Sequence, residues 1–167
     1  MFRFGKSKKS KNHSNAKKHI VILSDSKDLH VLENIYKNHE SINLDRFYVT
    51  LSNFTDYMLN TDDGNLADAI ICHEGFFNFD FEINDEDHNI FLEDYKQDED
   101  ARQWTLFFDY YVSKFNFDNV RFIYLTSRDN NPSDLLYLER LQKSYGIHHI
   151  LNTEKLTEQD ITEAVMS

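Results

Sequence analysis

Five short runs of apolar, largely β-favouring residues recur along this chain, and stretches of helical period separate them. The runs are 19–23 (HIVIL), 46–51 (RFYVTL), 68–72 (DAIIC), a fourth inside VRFIYLTSRD that ends in the hydroxyl pair Thr126–Ser127, and 147–151 (IHHIL). Runs this short and this apolar suit strands buried on both faces of a sheet. A strand, a helix and a strand joined by short links place the two strands side by side and parallel. The pattern therefore predicts a three-layer α/β sandwich around a five-stranded parallel sheet. In such sheets binding and catalytic groups collect at the carboxyl ends of the strands, which gives Thr126 and Ser127 their interest.

The intervening stretches read as helices. Leu29, Leu32, Ile35 and Tyr36 share one face of a segment that begins beside Ser24, Asp25 and Ser26, residues with N-cap chemistry. Phe54, Tyr57 and Met58 mark a short second helix, and Ala101, Trp104, Phe108, Tyr111, Val112 and Phe115 a long aromatic third. Pro132 follows Asn131 at a first helical position; Leu135, Leu138 and Leu141 are expected to face inward, with Gly146 as the stop. Thr157 and Asp160 form a capping-box pattern ahead of Ile161, Ala164 and Val165. One segment breaks the rhythm: Phe77, Phe79, Phe81 and Ile83 alternate with polar residues, and an acidic run from Asp85 to Asp100 follows.

Charge is divided unevenly. Residues 1–18 carry Arg3, Lys6, Lys8, Lys9, Lys11, Lys17 and Lys18 and no acid, which leaves 11 bases against 29 acids, a net of −18, in the rest. A basic arm on an acidic globule is expected, with the globule spanning 19–167. The globule repels nucleic acid and anionic membrane, so only the arm can engage either. With 14 Phe and 9 Tyr the chain has ample apolar surface for a core. A single cysteine, Cys72, excludes an internal disulfide, and the basic arm has no apolar h-region behind it. A cytoplasmic protein is expected, one that the arm can bring to the inner face of the membrane.

In wording and position, the run VRFIYLTSRD resembles the fourth strand of a two-component receiver domain, and the order of elements over 19–167 is similar to that flavodoxin-like family apart from an insertion at about 76–97. The resemblance implies strand order 2-1-3-4-5. It also implies a site made of an acidic pair after strand one, an acceptor aspartate ending strand three, a hydroxyl after strand four and a lysine after strand five. At the matching positions stand Ser24–Asp25, His73 (Glu74 if shifted by one), Thr126, and Asn152 or Thr153 with Lys155 slightly late. One carboxylate without the lysine cannot assemble a phosphoryl-transfer site. Asp25, His73, Thr126 and Thr153 are thus read as degenerate positions, and no catalytic residue, metal site or cofactor is expected. Only four glycines and no GxxxxGK[ST] or GxGxxG loop argue against a bound nucleotide. Because the chain stops after its fifth helix, no attached ATPase is expected either.

The expected role is a non-enzymatic interaction module acting through a protein partner or self-association, with no small-molecule substrate. Two other classes stay open: a signalling receiver phosphorylated at His73 or Glu74, or at Asp25 with a cation, and an acidic mimic of nucleic acid that blocks a basic partner. Phe76, Phe77, Phe79 and Phe81 either fold against the sheet or the 101–115 helix, or form the apolar centre of a partner surface, with the acidic run as its rim. The face that receivers of this family commonly use, here 133–145, 148–151 and 157–165, is the alternative surface.

Overall fold

Alternation along the strands sorts the core into two layers, one on each side of a single sheet. The computed structural model describes residues 16–61, 66–80, 95, 97–112, 114–115, 117–128 and 131–167. Strands β1 (Lys18–Leu23), β2 (Ile42–Tyr48), β3 (Ala69–His73), β4 (Arg121–Thr126) and β5 (His149–Asn152) form a parallel sheet in the order β2-β1-β3-β4-β5. Ile20, Ile22, Ile71, Ile123 and Leu125 point to the face covered by α1 (Val31–Tyr36) and α5 (Glu158–Met166). Val21, Leu23, Ile70, Cys72, Phe122 and Tyr124 point to the opposite face, covered by α2 (Leu51–Leu59), α3 (Glu99–Val112) and α4 (Pro132–Tyr145). This second layer is aromatic: Trp104, Phe107 and Phe108 of α3 are fully buried and meet Phe54, Phe122 and Tyr124 edge-on or tilted.

Local chemistry accounts for most boundaries. Thr157 and Asp160 form the expected capping box at the start of α5, and Ile161, Ala164 and Val165 are buried as their spacing predicts. Asn131 caps α4 by accepting from Asp134 N–H, and Pro132 occupies its first turn. Gly146 ends α4 in the left-handed region, φ 66°, a conformation costly for any residue with a Cβ.

Some expectations are corrected. β2 lies earlier than 46–51, because the Thr50 hydroxyl accepts from Asn53 N–H and caps α2, which makes Leu51 the first helical residue. On α4 the buried stripe runs through Tyr137 and Leu141, while Leu135 is 51% exposed and Leu136 48%. Lys18 belongs to β1, where it approaches Asp68, rather than to a tail. Of the alternating ribbon expected after β3, the described part follows a 3-10 turn at Glu74–Phe76 and makes an isolated bridge from Asn78 to Thr50; Phe81 and Ile83 lie outside the described residues.

Candidate functional site

The register of β3 and β4 builds the corner at the carboxyl edge. Cys72 lies opposite Tyr124 and His73 opposite Leu125. Glu74 and Thr126 each stand two residues beyond the first pair, so both project to the α3–α4 side of the sheet. His73, one residue earlier, is on the other side. The hydroxyl after strand four therefore meets Glu74 and not His73.

Glu74 is 7% exposed, and three donors satisfy its carboxylate. Oε1 accepts from Tyr124 O–H at 2.6 Å and Arg128 Nε at 2.8 Å; Oε2 accepts from Thr126 O–H at 3.0 Å. With its proton committed to Glu74, the Tyr124 hydroxyl accepts from Tyr137 O–H at 2.9 Å, which makes a relay of two buried phenols. Burial holds both phenols well above their usual pKa, with Tyr137 and Glu74 adding to the effect on Tyr124, and Glu74 to that on Tyr137. The Glu74 backbone carbonyl accepts from the Trp104 indole N–H at 2.8 Å, which anchors the turn to α3.

Arg128 supplies the countercharge. Besides Glu74, its guanidinium donates to Asp98 through Nη1 at 2.7 Å and Nη2 at 3.1 Å, and to Asp134 through Nη1 at 3.1 Å. It also lies over the Tyr137 ring, 4.4 Å from the centroid. Burial works against the arginine's charge, but the hydrogen bonds it donates to Asp98 and Glu74 outweigh that cost and raise its pKa. The same contact with Arg128 holds the Asp98 carboxyl below its ordinary range. Asp100, beside Glu74 and Asp98, is shifted up by burial and by both of those charges.

The other sequence-derived positions do not join this cluster. Asp25 is exposed. Its backbone N–H donates to the Phe76 carbonyl; the Ser24 hydroxyl accepts from Ser26 N–H at 2.9 Å, and Ser26, the N-cap of the 3-10 turn Lys27–His30, makes no side-chain cap bond. His73 is buried, with Nδ1 3.4 Å from Ser24 Oγ, and its ring stacks on Phe76 at 4.3 Å and 7°. Burial pulls its pKa down to about 4, opposed only by Asp28, so it is neutral. Thr153 opens a 3-10 turn capped by Asn152, and Lys155 is exposed. Cys72 is fully buried with its thiol pKa pushed up, and His149 lies at the opposite end of its strand from the edge His73 occupies. Among the described residues, no cluster of three His, Cys, Asp or Glu side chains is placed to hold a metal ion.

The aromatic partner surface needs correction. Phe77 is buried against Trp104 (centroids 5.3 Å apart), and Phe79 packs edge-on to the same ring at 5.2 Å. Both rings belong to the α3 layer, because the turn at Glu74–Phe76 carries the chain back over that helix. Phe76 remains 46% exposed, and Phe81 lies outside the described residues. Also outside them are Arg3, Lys6, Lys8, Lys9 and Lys11, whereas Lys17 is exposed. No helix among the described residues is long and apolar enough to cross a membrane.

Arg128 is the residue that sequence reasoning missed. It stands in a charged loop, and nothing in its local pattern marks it as buried; the one available signal was its position two residues after Thr126.

No model of a known protein family matches the sequence, and no curated protein matches it. Solved structures do match in shape. One is RcsB from Salmonella enterica serovar Typhimurium, bound to promoter rprA in the presence of a beryllofluoride phosphomimetic: 16% identity, TM-score 0.58, covering 90% of this chain and 97% of that one. Another is the RcsB response regulator of Salmonella typhimurium in a study of its conformational dynamism for DNA interaction: 14% identity, TM-score 0.56, covering 90% of this chain and 60% of that one. At these identities the likeness is one of fold: the chain is folded as a response-regulator receiver domain, with a flavodoxin-like sheet.

Proposed function

We propose that this chain is a non-enzymatic interaction module that uses the receiver fold without phosphorylation of an aspartate. One observation carries the reading: the Thr126 hydroxyl, which in the resembling family senses a phosphoryl group, already donates to the internal carboxylate of Glu74. Arg128 neutralises that carboxylate from within the chain. A phosphoryl group would have to displace an ion pair whose side chains are 12% and 8% exposed. The stocking of the remaining positions, Ser24–Asp25, His73 and Thr153, supports the same conclusion.

The α4 surface is the partner site under this proposal, because Leu135 and Leu136 are exposed there while Phe77 is spent on the core. Two exposed leucines on a helix suit the apolar centre of a protein contact. The basic residues of 1–17 add attachment to anionic membrane or nucleic acid, and the cytoplasm is the compartment that suits a lone reduced cysteine.

Incubation with Mg²⁺ and acetyl phosphate or beryllofluoride tests the central point. Intact mass and the amide resonances around Glu74 and Thr126 should stay unchanged, whereas L135S/L136S should weaken self-association or partner capture without loss of stability. Stoichiometric phosphorylation of Asp25, His73 or Glu74 would overturn the reading.

A further inference from the structure

Glu74 needs one cation, but Arg128 reaches further than Glu74. Two residues beyond β4, its guanidinium makes four hydrogen bonds of 2.7–3.1 Å to three carboxylates far apart in sequence, Glu74, Asp98 and Asp134. Each lies where an element begins or ends. Glu74 follows β3, Asp98 immediately precedes α3, and Asp134 is in the first turn of α4.

The last two belong to the helix caps themselves. Asp98 Oδ1 accepts from Ala101 N–H at 3.0 Å. Asp134 Oδ2 accepts from Asn131 Nδ2 at 2.9 Å, while its own N–H is held by Asn131 Oδ1 at 2.9 Å. Tyr137, one turn further along α4, receives the guanidinium on its ring face. A planar fork with five donors can bridge three acceptors at fixed angles, which the single ammonium of a lysine cannot do.

We infer that Arg128 is a positioning residue, a latch that fixes the amino-terminal ends of α3 and α4 to the end of β3 and so sets the α4 surface from the charge at Glu74. The latch is internal mechanics; only its consequence for partner docking rests on the function proposed for α4.

Hydrogen exchange of the whole chain, followed peptide by peptide with α5 as internal reference, tests the latch. R128M should speed exchange in the first two turns of α4 and around residue 99 by tenfold or more relative to α5. R128K should behave like R128M, since a point charge does not restore the bridge. R128M/E74Q should recover melting temperature lost in R128M while α4 exchange stays fast, because Asp98 and Asp134 still lack their link. Should R128M fail to fold, D134A removes one tie and leaves Glu74 paired; its exchange should rise at the start of α4 and not at α3. Wild-type exchange at α4 in R128M or D134A, or its full restoration by R128K, would overturn the latch. Phosphorylation of the chain, or association indifferent to L135S/L136S, would defeat the proposed function and leave these exchange rates untouched.

Discussion

Phe77 is where sequence pattern and structure lead to opposite experiments, so its truncation discriminates sharply. The ring is 7% exposed and touches Trp104, Phe79 and Phe107 at centroid distances of 5.3, 4.9 and 6.1 Å. Truncating a buried Phe to Ala typically costs about 3–5 kcal/mol, the transfer loss plus the cavity. Two of the three rings lining this cavity, Trp104 and Phe107, belong to α3 and are fully buried, so little collapse is expected and F77A should fall within that range. For a chain of this size that corresponds to a drop in melting temperature of roughly 6–20 °C. Urea unfolding followed by far-UV circular dichroism is the right assay, because Trp104 fluorescence would register the lost ring contact itself. F76A is the paired control. Its ring is half exposed and should cost clearly less. A loss below about 1 kcal/mol for F77A, together with weakened self-association, would refute the packing argument and return the segment to the surface.

Two further outcomes follow from charge. His73 stays neutral in the fold with its pKa near 4, against an unperturbed 6.5, so below pH 6.5 the unfolded chain takes up a proton that the native one does not. Stability should therefore fall as pH drops from about 6.5 to about 4 and stop falling on this account below it; H73Q should flatten that segment in urea titrations at several pH values. Removal of residues 1–15, with Arg3, Lys6, Lys8, Lys9 and Lys11, should leave the melting temperature unchanged and abolish salt-sensitive binding to anionic vesicles or DNA. Sedimentation with vesicles at low and high salt checks this.

The amino-acid sequence by itself determined the class of fold, because apolar runs of strand length and stripes of helical period are local facts. Short crossovers admit only parallel neighbours. Thr157 with Asp160, Pro132 and Gly146 place their helix ends by chemistry contained within a few residues. Thr126 could likewise be assigned to a strand end. What it touches could not, for its partner is set by the register of β3 on β4, a long-range property that exchanges Glu74 for His73 with a slip of one residue. The same holds for the aromatic residues. Alternation along Phe77 and Phe79 is compatible with an exposed ribbon or with two rings laid on α3, and only the turn at Glu74–Phe76 decides. Arg128 was the least legible of all, since a loop arginine is ordinarily solvated. Its side chain is only 12% exposed here because three carboxylates from separate elements converge where two helices start, and that convergence exists only once the sheet has formed.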